Sequence, residues 1–140
     1  MGAYTFNKNL INTGGLKFIK LFGTGSREGF SLIPDFSSYV IITSWENDHF
    51  RKNFLANNSI INEIISKSSS RVEIKIDPYI FKGSWNGINP FKNASSYNGG
   101  KILVITRARV KFNKLINFIL NTSLASKSIR SYNGAEFYKG

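Results

Sequence analysis

The chain has 140 residues, about the length of one globular domain. It has no Cys and one His, which excludes disulfides, thiolate metal sites, cysteine nucleophiles and a two-His metal site within one chain. The 19 Lys and Arg against 8 Asp and Glu give a net charge of +11. Such an excess suits nucleic acid, a membrane surface or an anionic cofactor without selecting one of them. A biased genome composition explains it equally well.

The sequence carries no signal-peptide pattern at its start and no run of about 18 apolar residues. We therefore expect a cytoplasmic protein, with peripheral contact to a membrane left open by the charge. That charge is uneven, because residues 101–140 contain eight Lys and Arg and only one Glu.

Apolar spacing in the first half of the chain predicts two strands followed by two helical segments. The Gly14-Gly15 pair marks a turn before the first strand. Asn47-Asp48 is a helix cap, and Asn57-Asn58-Ser59 interrupts the helical pattern with a second cap. In chain order, the predicted elements are strands over 16–22 and 39–45, separated by a loop at 23–36, and helices over 48–56 and 59–68.

The second half predicts a half-buried strand over 72–76, a loop at 80–100, a strand over 102–110, a helix over 112–131 and the start of a strand at 135–138. This order favours an α+β fold of ferredoxin-like type, with an antiparallel sheet and helices on one face. Both ends look incomplete. We expect a single domain over 1–140, with 15–82 as a first unit that lacks its first strand and 101–140 as the start of a second.

The common catalytic motifs are absent. The glycines at 23–29 do not follow the dinucleotide pattern, since Glu28 stands where a glycine is needed, so a structural turn is favoured. His49 is expected as a solvated residue at a helix start. No acid pair or Ser-His arrangement is supported, and no catalytic residue is assigned.

Two features remain. The Gly83-to-Phe91 stretch holds Trp85 between two glycines, which places a large ring against either the core or a bound apolar ligand. Arg107 lies among apolar residues of a predicted strand, so it either reaches the strand edge or pairs with a buried carboxylate or bound anion.

At these residues the chain resembles the spheroidene monooxygenase (carotenoid oxygenase) family. The similar segments follow one another in order: a strand with a glycine turn at 18–25, Gly29-Phe30 with Pro34-Asp35 and the strand to Trp45, the G-x-W-x-G-x-x-P-F segment at 83–91, Thr106-Arg107-Ala108, and a helix end at 125–134. Asn is more usual in the family where Asp35 stands here. Family members also continue beyond both ends of the matched region.

The resemblance implies a haem-dependent monooxygenase of the dimeric α/β-barrel type, built from two ferredoxin-like repeats. Its substrate would be an apolar polyene such as a carotenoid, and its electron donor a ferredoxin-type protein. On this resemblance Trp85 and Arg107 are the cofactor-binding candidates, with Arg107 on a haem propionate. The family's iron ligand is expected on a later, His-containing helix, so this chain would lack the axial ligand.

The alternative is a non-enzymatic basic α+β module that binds an anionic surface or nucleic acid. An incomplete sheet with open edges also predicts association, including a homo-oligomer. The competing expectation is a closed sandwich of four strands and two helices.

Overall fold

A computed structural model describes residues 10, 12–25, 33–85, 87–91, 96–106 and 110–134. In chain order its elements are strand β1 (Leu16–Gly25), strand β2 (Pro34–Trp45), helix α1 (Asp48–Asn57), helix α2 (Ser59–Ser66), a 3-10 turn (Phe112–Lys114) and helix α3 (Leu115–Arg130). β1 and β2 pair as a two-stranded antiparallel sheet. The predicted α+β class is confirmed. Within the described ranges the sheet is not closed into a barrel, which is consistent with an incomplete ferredoxin-like fold.

The chain divides into two compact units, and each strand is shared between them. The first unit comprises residues 1–20 and 41–104, and the second comprises residues 21–40 and 105–140. The prediction of a single domain, with boundaries at 15–82 and 101–140, stays a prediction.

In the first unit a glycine turn precedes β1, and it is hydrogen-bonded to the residue that follows β2. Leu16 N–H donates to the Thr13 carbonyl at 3.1 Å, and Glu46 N–H donates to the Gly15 carbonyl at 2.8 Å. Gly15 has a φ of 71°, a conformation that glycine adopts without steric cost. The turn predicted at Gly14-Gly15 is therefore confirmed.

Asparagine caps set the boundaries of α1 and α2. The side chain of Asn47 accepts hydrogen bonds from the main-chain N–H groups of His49 and Phe50, and Asn58 accepts from Ile61 N–H at 3.1 Å. The Asn58 N–H also donates to the Phe54 carbonyl, so one residue ends α1 and begins α2. The two predicted helical segments are confirmed, with their ends shifted by a residue or two.

The packed part of the first unit lies where α1 meets β2. Phe54, on α1, is buried, and its ring centroid lies 4.9 Å from that of Trp45. Ile61, on α2, is buried as well. Trp45 Nε1 donates to Thr43 Oγ1 at 2.9 Å, which satisfies the indole N–H within the strand.

The second unit contains the outer half of the β1–β2 hairpin and the C-terminal helix. Thr24 is buried and its Oγ1 donates to the Ser38 carbonyl at 3.2 Å. The 3-10 turn leads directly into α3, as the predicted helix over 112–131 requires.

None of the helices in the described ranges is long and apolar enough to cross a membrane.

Two predicted strands differ from the structure. Residues 72–76 form no strand, and neither do residues 102–106 and 110 of the strand predicted over 102–110, while residues 107–109 lie outside the described residues. The apolar side chains of 72–76 and 102–105 are exposed, because neither stretch has a neighbouring strand among the described residues. The predicted loop at 23–36 is also shorter, since β1 extends to Gly25 and β2 begins at Pro34. The strand start predicted at 135–138 lies outside the described residues.

Candidate functional site

The candidate site is the loop of residues 83–91, which we call the Trp85 loop. Trp85 N–H donates to the Ile88 carbonyl at 2.7 Å, and Ile88 N–H donates back to the Trp85 carbonyl at 3.1 Å. The two residues between them are Asn-Gly, the commonest sequence of tight hairpin turns. Gly87 has a φ of 80°, which this turn requires. The turn fixes the position of Trp85.

The Trp85 ring lies against β1. It is 9 % exposed, and its centroid is 5.4 Å from that of Phe18 with the ring planes at 80°. This edge-to-face arrangement is a favourable geometry for two aromatic rings. Trp85 therefore packs on the sheet, one of the two placements that the sequence leaves open, and its assignment to a cofactor stays a prediction.

Two further contacts hold the Trp85 loop in place. Ser44 Oγ, on β2, donates to the carbonyl of the buried Pro90 at 3.0 Å. Phe91 packs edge-to-face against Phe81, with centroids 5.3 Å apart. The loop is thus attached to both strands, by a ring contact to β1 and a hydrogen bond to β2. The sequence did not identify Phe18 or Ser44 as partners of the loop, because only the fold brings these distant positions together.

Asp48, in an ion cluster on α1, has the most strongly shifted pKa among the described residues. Arg51 Nε lies 2.7 Å from Asp48 Oδ1, and Lys52 Nζ lies 3.2 Å from Asp48 Oδ2. The hydrogen bond from Arg51, followed by that from Lys52, holds the pKa of Asp48 well below its usual range. The same bond raises the pKa of Arg51. The Asp48 carboxylate is paired with cations, so this cluster supplies no general acid or base.

The residues described around Trp85 do not fit a haem iron. Phe18 and Ile88, which contact Trp85, carry no atom that ligates iron. His49 is exposed in the first turn of α1, as the sequence predicts. In the described ranges no group of three or more acidic or His side chains is placed to hold a metal ion. Arg107, the predicted propionate partner, lies outside the described residues.

The fold and the Trp85 loop define an α+β protein with an aromatic, apolar candidate site. Comparison of the chain with known proteins shows a more specific resemblance. The chain is 26% identical over 102 residues to a spheroidene monooxygenase of Rhodobacter capsulatus, 27% over 103 residues to one of Cereibacter sphaeroides, and 22% over 126 residues to one of Rubrivivax gelatinosus. These alignments cover 71%, 73% and 90% of this chain.

The chain spans half or less of the length of these relatives, with the aligned regions covering 42%, 32% and 49% of them. No protein-family model matches the chain, and no solved structure matches it. The resemblance read from the sequence is therefore supported by three curated proteins of the same name at low identity.

Proposed function

We propose that this chain is a monooxygenase-like protein whose Trp85 loop binds an apolar polyene of the carotenoid class. The observation that carries the proposal is the similarity to three proteins named spheroidene monooxygenase, extending over as much as 90% of the chain. The geometry of the Trp85 loop gives the similarity a chemical basis, since Trp85 packs against Phe18 and Phe91 packs against Phe81.

A polyene is long, flat and apolar, and it is held by dispersion contacts and exclusion of water rather than by hydrogen bonds. The Trp85–Phe18 pair supplies a rigid aromatic surface of this kind. The neighbouring Phe81–Phe91 pair, at 5.3 Å, is a second such surface. We assign the binding of the polyene to these rings.

The oxygen chemistry is not assigned to residues of this chain. The resemblance implies haem and a ferredoxin-type electron donor, and the described residues offer no iron ligand beside Trp85. Haemin titration, followed by visible absorption, measures whether the chain binds haem. Polyene binding by the Trp85 loop is tested separately.

The two tryptophans allow a matched fluorescence experiment. Trp45→Phe leaves Trp85 as the single tryptophan, and Trp85→Phe leaves Trp45, which packs against Phe54 instead. A detergent-dispersed carotenoid should quench the emission of the Trp45→Phe variant with a saturable dependence on concentration. It should quench the Trp85→Phe variant much less, because the remaining ring lies outside the Trp85 loop. Equal quenching of the two variants, or none in either, contradicts the proposal.

The second candidate, a basic module for an anionic surface or nucleic acid, rests on the charge distribution. Residues 101–134 contain no Asp or Glu, and Lys101, Lys111 and Lys114 are exposed there. Phosphate binding weakens steeply as salt rises, whereas polyene binding depends little on it. Measuring the binding of a labelled oligonucleotide and of a carotenoid at several salt concentrations separates the two functions.

A further inference from the structure

The segment 71–77 has the sequence Arg-Val-Glu-Ile-Lys-Ile-Asp, in which charged and apolar side chains alternate throughout. Its charged side faces α1. The Arg51 guanidinium contacts the Glu73 carboxylate, and Lys75 Nζ lies 3.5 Å from Asp48 Oδ1. Residues two apart thus reach the same helix, which is the alternation that an extended chain produces.

The apolar side of the 71–77 segment is exposed. Val72, Ile74 and Ile76 are 82%, 53% and 38% exposed. The main-chain groups of 72–76 form no hydrogen bond to another described residue. A row of exposed apolar side chains along an unpaired main chain is a template for another strand. The ion pairs to α1 hold the segment in this orientation.

The charges of the segment specify a copy of itself as the partner strand. When two copies run antiparallel about Ile74, every charged residue faces one of opposite sign. Arg71 faces the partner's Asp77, Glu73 faces the partner's Lys75, and symmetry repeats both pairs. On the other side of the strands, Val72 faces the partner's Ile76 and Ile74 faces its own copy. Opposite charges and apolar residues are the cross-strand pairs that stabilise antiparallel sheets.

Other antiparallel registers lose this match. A shift by one residue places apolar side chains opposite charges. A shift by two places Glu73 or Lys75 opposite its own copy, and a shift by four keeps only half of the ion pairs. Pro78 has no N–H and so ends the paired stretch. Within its own chain Arg71 pairs with Glu73 at 2.7 Å, and among the described residues Asp77 has no ion-pair partner, which leaves the Asp77 carboxylate available to the partner's Arg71.

We propose that the 71–77 segment is a self-recognition strand, through which two copies of this chain form a two-fold symmetric dimer centred on Ile74. Such an interface is isologous, since each copy contributes the same surface. The inference does not depend on the function proposed for the Trp85 loop.

Charge reversal at the two ends of the segment tests the pairing. Asp77→Lys places the new lysine opposite the partner's Arg71, and Arg71→Glu places the new glutamate opposite the partner's Asp77. We expect the unaltered chain to dimerise in sedimentation equilibrium, and each variant to raise the dimer Kd about tenfold or more, since two ion pairs become repulsive. An equimolar mixture of the variants restores both pairs and should regain the original affinity.

Glu46→Lys is the matched control, because it makes the same charge change as Asp77→Lys at an exposed position outside the segment. Its Kd should equal that of the unaltered chain. Recovery in the mixture also shows that both variants fold. A chain that is monomeric at every concentration, or variants that associate as the unaltered chain does, overturns the proposal. A mixture that associates no better than its components overturns it as well.

Cross-linking tests the register independently. The chain has no Cys, and directly opposed Cβ atoms in a sheet are about 4.5–5.5 Å apart, close to the disulfide range. Ile74→Cys should therefore form a disulfide with its own copy under mild oxidation. Val72→Cys should cross-link with Ile76→Cys and hardly with itself. Equal self-cross-linking at positions 72 and 74 refutes pairing about Ile74.

Discussion

Replacing Gly15 by alanine tests the close contact between the turn before β1 and Phe50 of α1. Gly15 has a φ of 71°, and a Cβ added there would lie 2.7 Å from Phe50 Cβ and overlap the Phe50 ring. The left-handed conformation costs an alanine about 1–2 kcal/mol, and overpacking costs about 1–3 kcal/mol. The backbone has little freedom to move away, because the Gly15 carbonyl accepts from Glu46 N–H at 2.8 Å. We expect Gly15→Ala to lower the free energy of unfolding by about 2–5 kcal/mol.

Gly14→Ala is the matched control. Its added Cβ would meet Phe50 Cε1 at an ordinary 3.8 Å, and its φ is not positive, so the free energy of unfolding should change by no more than about 0.5 kcal/mol. Urea unfolding followed by circular dichroism provides the comparison. In a Phe50→Ala background the overlap with the ring is gone and only the 2.7 Å contact with the Cβ of residue 50 remains, so Gly15→Ala should cost less there than in the unaltered chain. Equal losses for Gly14→Ala and Gly15→Ala would refute this account of the turn.

Three further predictions concern stability. Trp85→Ala should lower the free energy of unfolding by about 3–5 kcal/mol if the ring is core, measured by urea titration; unchanged stability together with unchanged carotenoid affinity refutes its role. Asn58→Ala should cost about 1 kcal/mol by removing the cap of α2, whereas Asn57→Ala, one residue earlier, should cost less; equal losses would contradict the cap. The depressed pKa of Asp48 stabilises the fold above its unfolded value near 3.8, and this contribution is lost as pH falls below that value. Urea midpoints should therefore fall more steeply below about pH 4 in the unaltered chain than in Asp48→Asn, and parallel profiles would contradict this.

Helix boundaries could be predicted because their determinants are local. The side chains of Asn47 and Asn58 accept hydrogen bonds from N–H groups two or three residues ahead. Such caps form without help from the rest of the fold. The sequence therefore contained nearly all the information that places α1 and α2.

Strand boundaries depend on a partner that the sequence pattern does not name. β2 begins at Pro34, five residues before the apolar run at Tyr39, because antiparallel pairing with β1 continues through polar residues. Thr24 and Ser38 are joined in this part of the hairpin. Alternation reports which side chains share a face, but the register across the pair decides where the ladder stops.

In the candidate site, likewise, the sequence indicated the local turn but not the long-range ring contact. The glycines at 83 and 87 indicated that Trp85 is held in a fixed turn, and their positive φ values explain why glycine stands at both positions. The ring that Trp85 contacts, Phe18, lies far away in the sequence. That contact depends on the hairpin and the loop folding together, which local spacing does not encode.

For the 71–77 segment, the charge pattern itself indicates which strand would be the partner. An apolar pattern alone predicts an extended segment and leaves the partner open, as at 102–106, where no residue is charged. In 71–77 the charges run plus, minus, plus, minus, so reversing the direction of the segment reverses the sign at every charged position. A copy of the same segment is then complementary in one centred register and repulsive two residues away. Apolar association alone would tolerate such a shift, so recovery of binding in the Arg71→Glu and Asp77→Lys mixture separates encoded pairing from aggregation through exposed Ile and Val side chains.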